Sequence, residues 1–305
     1  MTLVICLNYG DKIYVATDSL MTSRKPNGRL LHQGYRMKLY RVQHCNAVVA
    51  FSGSMAIASR VLKCVGKYAF EKRPTETALF EELPSLITYS VKQTPSDKVQ
   101  DFDILFAGLT PNSRAYDQEK YPGVGVPPKT ACGVFSWRSE RGENRLLTKV
   151  GKAIHVPSRS GAKFVSSDPQ ALMDVFVTGS GAREVIPSAQ HYHYYYELRH
   201  RPKHLMMITM GEVLSGFFSE IPDGFLSELP AENPGVGGEY QVALITEEGV
   251  EIGISTASGP IRPVAIEYKH DACVVMDLAT GKSDIIQTIW DPRYPYEIYE
   301  MGYLL

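Results

Sequence analysis

The sequence lacks the features that mark several large classes of protein. Its longest apolar stretches break well before the ~18 residues that a membrane-spanning helix needs. The N-terminus has no basic segment followed by an apolar core and a cleavage site, so the expected location is the cytoplasm. Cysteine is sparse: Cys6, Cys45, Cys64, Cys132 and Cys273 are scattered with no CxxC pair, which argues against a disulfide framework and a structural zinc site. Charge of one sign is not in excess either. Lys and Arg total 32 against 33 acidic residues, and neither sign gathers into a long run. Nucleic acid and anionic membrane surfaces are therefore not expected partners. No GxGxxG or GxxxxGK[ST] follows a strand signal, so no nucleotide fold is indicated and no cofactor or metal is expected.

What remains is ample material for a packed core. Hydrophobic residues make up 44% and charged residues 21% of the 305 positions, close to the globular average. The length fits one α+β domain spanning 1–305. Its readable core covers about 2–110 and 173–255, with an insertion at about 111–172 and a C-terminal extension at about 262–305.

Leu3 to Leu7 is an apolar run, Asn8-Tyr9-Gly10-Asp11 has turn chemistry, and Ile13 to Ala16 is a second run, which together predict a hairpin at the very start. Such a hairpin ties down residues that would otherwise fray. Leu30 to Val42 is strand-like, and Ala47 to Phe51 reads as a buried strand closed by Ser52-Gly53-Ser54. A helix is predicted from about Met55 to Glu71, with Ile57, Val61, Leu62, Val65 and Ala69 on one face. A second is predicted over Thr77 to Gln93, broken or bent at Pro84. Phe102 to Leu109 returns as a strand. The insertion holds two candidate strands, Cys132 to Trp137 and Arg145 to Val150.

Met173 to Thr178 is read as a core strand ending in Gly179-Ser180-Gly181, and Leu205 to Ile221 as a helix stopped by Pro222. Tyr240 to Thr246 and Val250 to Ile254 form a further hairpin, and Cys273 to Met276 with Asp284 to Thr288 a peripheral one. Strands at both ends with helices between them suggest packed sheets with helices on their outer faces.

Four features of the first half fit one chemical device. Thr2 follows Met1 and is small enough for that Met to be trimmed. Its hydroxyl is a weak nucleophile alone, but an α-amine with a reference pKa of ~7.7–8.0 on the same residue can serve as its base. Asp18 ends the second strand and Lys38 lies near the third, so both can converge on residue 2, where a lysine would favour the neutral amine. Gly53 stands at a strand-to-helix turn, where a backbone N–H can face a developing oxyanion.

The segments Thr2-Leu3-Val4, Ala16-Thr17-Asp18-Ser19, Lys38-Leu39-Tyr40, Phe51-Ser52-Gly53-Ser54, Val177-Thr178-Gly179-Ser180-Gly181 and Val236-Gly237-Gly238 occur in a telling order. In that order and spacing the chain resembles the proteasome β-subunit family of N-terminal nucleophile (Ntn) hydrolases, including its simpler bacterial members. The resemblance implies a four-layer αββα sandwich and a threonine peptidase with Thr2 as nucleophile, Asp18 and Lys38 as supporting charges and Gly53 as oxyanion donor. It further implies that Ser180 completes the hydrogen bonding of the amine, and that Phe51 and Met55 line the substrate pocket. A homo-oligomer, in the family usually a ring, would admit peptides or unfolded polypeptides. An unfoldase partner is left open.

The chain also departs from the family pattern. The loop between Asp18 and Lys38 is longer, and Asn233 and Val236 stand where the family has an aspartate and a serine. Two other functions fit the same residues: an Ntn hydrolase of small amides, and a catalytically silent scaffold that retains Met1. The tract His191 to Tyr196 with His200 and His204 reads as an aromatic interaction surface, because Pro202 interrupts the helical spacing a metal pair would need.

Overall fold

The computed structural model describes residues 3–18, 20–24, 30–35, 38–95, 100–110, 129–140, 143–149, 152–155, 172–179, 240–255, 262–268, 272–277 and 283–287. The chain opens on the hairpin of β1 (Leu3–Asn8) and β2 (Ile13–Asp18). Its turn is built by local polar groups: Asn8 Oδ1 accepts the Gly10 N–H at 2.9 Å, Tyr9 N–H donates to the Lys12 carbonyl, and Gly10 takes φ 87°. A side chain that mimics a backbone acceptor explains the turn chemistry read from the sequence.

The strand-like run Leu30 to Val42 divides between two sheets. β3 (Leu20–Arg24) pairs only with β4 (Leu30–Tyr35) in a two-stranded sheet, whereas β5 (Leu39–Arg41) pairs with β6 (Ala47–Gly53). Two helices follow, α1 (Met55–Lys72) and α2 (Glu76–Lys92). Arg73 ends α1 in the left-handed region at φ 46°, and Thr75 caps α2 by accepting the Ala78 N–H at 3.2 Å. The helix α2 runs on through Pro84, so of the two outcomes expected there the break does not occur. Leu79, Leu83, Ile87 and Val91 bury one continuous stripe on both sides of the proline, and that tertiary anchoring outweighs the missing hydrogen bond.

The remaining strands are β7 (Phe102–Thr110), β8 (Lys129–Glu140), β9 (Glu143–Lys149), β10 (Lys152–His155), β11 (Leu172–Gly179), β12 (Tyr240–Thr246), β13 (Gly249–Ser255), β14 (Arg262–Tyr268), β15 (Ala272–Asp277) and β16 (Ser283–Gln287). They form a five-stranded sheet, β5-β6-β7-β8-β9, and a nine-stranded sheet, β10-β11-β1-β2-β12-β13-β14-β15-β16. Every pairing is antiparallel. Among the described residues the fold is thus α+β, with antiparallel sheets and two helices. The five-stranded sheet takes β8 and β9 from the stretch that the sequence places in an insertion. The helix expected at Leu205 to Ile221 lies outside the described residues.

Strand alternation shows how the layers stack. On the five-stranded sheet Phe106 and Phe135 pack against Phe80 of α2, with ring centroids 5.8 and 5.1 Å apart. The alternate residues Val48, Ala50, Leu105, Ala107 and Val134 turn to the other sheet, where Val4, Cys6, Val15, Phe176, Ala243 and Ile245 complete one core cluster. The opposite face of β1, β2 and β12 is buried as well: Leu3, Ile5, Leu7, Tyr14, Ala16, Val242 and Leu244 are at most 2% exposed.

Buried side-chain amides fasten the two sheets together. Asn46 Nδ2 donates to the Leu109 carbonyl at 2.9 Å and to the Thr246 carbonyl at 2.7 Å, while Asn8 Nδ2 donates to Thr130 Oγ1 at 3.0 Å. Asn46→Ala strips two carbonyls of a donor and is expected to lower stability by about 1–3 kcal/mol. Urea unfolding of the variant, with an unchanged m-value, checks this.

Candidate active site

Asp18 is the last residue of β2, one position past the final paired couple of the hairpin, Val4 and Thr17. There its side chain replaces a ladder carbonyl: Asp18 Oδ1 accepts the N–H of Leu3 at 2.9 Å. Lys38 immediately precedes β5 in the other sheet, and its Nζ donates to Asp18 Oδ1 at 3.1 Å and Oδ2 at 3.2 Å. Both side chains are 0% exposed, so this is a fully buried ion pair bridging the two sheets. The structure therefore joins the two charges that the sequence only suggested could meet, across the longer loop between them.

Burial dominates the electrostatics of the pair. Loss of hydration pushes the Asp18 carboxyl above its ordinary 3.8, opposed by the Lys38 charge and the Leu3 N–H. The same loss pushes the Lys38 ammonium below its ordinary 10.5, opposed by Asp18. A lysine so placed holds its proton less firmly than an exposed one, and the Asp18 carboxylate opposes that loss.

Gln241 is the residue that sequence reasoning missed. It lies on β12 opposite Thr17, fully buried, and its Oε1 accepts the N–H groups of Lys38 at 2.7 Å and Leu39 at 3.1 Å. One side-chain carbonyl thus fixes the backbone of Lys38 to the strand beside Asp18. The signal was available: a glutamine on the core-facing register of an otherwise apolar strand is costly unless it is bonded.

Gly53 closes β6 with φ 94°, exposed, directly before Ser54, the N-cap of α1. Ser54 makes no side-chain capping bond, and the first turn of α1 carries no acidic residue. The positive end of an 18-residue helix thus begins two residues after Gly53, with no acidic side chain in its own first turn. A Cβ at Gly53 would run into the Asp101 carbonyl oxygen and come within 2.7 Å of Phe102 Cα. Gly53→Ala is expected to cost about 1–3 kcal/mol from backbone conformation alone, read as a lower urea midpoint.

Phe51 is 1% exposed and lies on the helix-facing register of β6 with Ile104, its ring stacked on Tyr40 at 6.2 Å. Its observed contacts are those of a core residue. Met55 is the first residue of α1, two positions after Gly53, and its side chain lies outside what the structure describes. Thr2, Ser180, Asn233, Val236 and the His191 to His204 tract lie outside the described residues. Among the described residues no group of three or more His, Cys, Asp or Glu could hold a metal ion, and no helix is long and apolar enough to cross a membrane.

No family model matches the chain, and no curated protein matches it. Among solved structures it is similar to Anbu (ancestral beta-subunit) from Yersinia bercovieri, with a TM-score of 0.47 at 11% identity over 85% of this chain and 89% of that one.

Proposed function

We propose that the chain is an N-terminal threonine hydrolase of the proteasome-like kind, a peptidase that acts through Thr2 after removal of Met1. The observation that carries this reading is the buried Asp18–Lys38 pair, whose carboxylate holds the N–H of Leu3, the residue that directly follows Thr2 in the chain. A buried ion pair is rarely the most stable way to fill a core, so a chemical role for it is the economical explanation.

In the proposed reaction the Thr2 Oγ attacks the substrate carbonyl carbon while the Thr2 α-amine takes the hydroxyl proton. The Gly53 N–H and the N-terminal end of α1 stabilise the oxyanion. The amine returns the proton to the leaving nitrogen, the C–N bond breaks, and an ester on Thr2 remains. Water then adds to the ester, the amine takes its proton, and the restored hydroxyl leaves a carboxylic acid product. Lys38, held by Asp18 and Gln241, lowers the cost of the forming alkoxide and keeps the neighbouring amine neutral. In this reading Ser180 bonds the amine, Met55 and Phe51 border the substrate site, and the buried outer face of β1, β2 and β12 supports a second helical layer, giving an αββα sandwich.

The substrates that fit are peptides or unfolded polypeptides admitted to a homo-oligomer. Incubating the Met1-free protein with a denatured polypeptide is expected to release new amino termini. Turnover of small acyl amides alone would instead place the protein among small-amide hydrolases, and no turnover of either would contradict the proposal.

A further inference from the structure

A buried carboxyl group on β7 joins the two sheets at another point, and the proposed reaction does not use it. Asp103 on β7 is 5% exposed and lies on the face turned toward the nine-stranded sheet. Its Oδ2 accepts the hydroxyl of Thr178, on β11 of the opposite sheet, in a short hydrogen bond. The same oxygen takes the Ser52 hydroxyl at 3.5 Å, the long limit of such a bond. Thr178 is itself buried, and its register partner on β1 is Val4.

Sequence position makes these contacts informative. Ser52 directly precedes Gly53, and Thr178 directly precedes Gly179, which pairs with Leu3 at the end of β1. Gly53 and Gly179, the last residues of β6 and β11, both adopt positive φ, 94° and 99°. A single carboxyl oxygen therefore links the penultimate residues of two strands from different sheets, Ser52 directly opposite Asp103 in its own ladder and Thr178 on the facing sheet. An apolar contact would hold the sheets together as well, but it would not fix two strand ends to one atom.

We propose that Asp103 is a positioning residue that sets the oxyanion-binding turn after Ser52 against the strand end that carries Leu3 and Thr2. This rests on the proposed Thr2 chemistry for its catalytic consequence, though the clamp between the sheets stands on geometry alone. Misplacing an oxyanion donor by a fraction of an ångström lowers the rate of the chemical step without changing how substrate is held.

Thr178→Val removes the hydroxyl at nearly constant shape, whereas Thr178→Ser keeps it. Two readouts are followed on folded protein: amide hydrogen exchange at Ser52 to Ser54, which is in the other sheet from the substitution, and the rate of covalent adduct formation with a peptide epoxyketone. Thr178→Val is expected to speed exchange at those amides and slow adduct formation, each by about ten- to a hundredfold, as loss of a bond to a carboxylate implies. Thr178→Ser should restore both. Exchange at Ser52 to Ser54 unchanged in folded Thr178→Val overturns the clamp. Altered exchange with an unchanged adduct rate overturns its catalytic role. If the parent protein forms no adduct, the Thr2 reading fails and the positioning of its chemistry falls with it, while the exchange data still decide the clamp.

Discussion

Lys38→Met lowers the free energy of unfolding by about 3–5 kcal/mol, because it leaves a buried carboxylate without its cation. Asp18→Asn does the same from the other side. The double variant Asp18→Asn/Lys38→Met recovers most of the loss, since an uncharged pair of similar size removes the cost of burying both ions. The proposed hydrolysis is expected to be lost in all three. Stability and activity thus separate in the double variant, which a purely structural ion pair would not predict.

The pH dependence follows from the directions of the two shifts. Lys38 is held below 10.5 in the fold, so between its folded value and 10.5 the unfolded chain binds more protons and stability rises with pH. Asp18 is held above 3.8, so between 3.8 and its folded value the native chain binds more protons and stability falls as pH rises. Because the two groups share protons they titrate as a pair, and the double variant is expected to lose both slopes together. Urea unfolding across pH, for the parent and the double variant, checks the signs.

Thr2→Ala abolishes hydrolysis, by about 10³-fold or more, as removal of a nucleophile from a cooperating set does. The variant is expected to unfold in the same cooperative transition as the parent, so the loss is read on folded protein. Thr2→Ser keeps a hydroxyl on the same residue as the amine and retains measurable turnover. Equal activity in Thr2→Ala and the parent protein, with new amino termini still released, would remove Thr2 from the mechanism.

Local signals carried much of the fold. The hairpin of β1 and β2 and the helix α1 follow directly from apolar spacing and turn residues, and the apolar face Ile57, Val61, Leu62, Val65 and Ala69 is the buried one. Partner choice was not legible. Leu30 to Val42 looked like one strand region because β-propensity says nothing about which sheet a segment joins, and β4 and β5 join different ones. Cys132 to Trp137 marked only the middle of β8, whose ends are polar yet are held in the ladder by β7 and β9.

The site divides in the same way. Asp18, Lys38 and Gly53 stood out through their positions at strand ends and turns, and the structure brings the first two into contact. Gln241 and Asp103 were passed over because their meaning depends on partners far away in sequence, 203 residues away for Gln241 and Lys38. Each is nonetheless a polar residue on the core-facing register of an apolar strand. Once register is known, such residues point to bonded networks, since burying them unpaired is too costly.

Thr2, freed of Met1, is the proposed nucleophile, one residue before the Leu3 whose N–H Asp18 holds. The most direct test of that role is the intact mass of the purified protein before and after reaction with a peptide epoxyketone, a reagent that requires both the hydroxyl and the free amine of one residue. Loss of Met1 followed by a single adduct, absent in Thr2→Ala, is the predicted result. A Met1-free protein that forms no adduct, or an adduct that persists in Thr2→Ala, would contradict it.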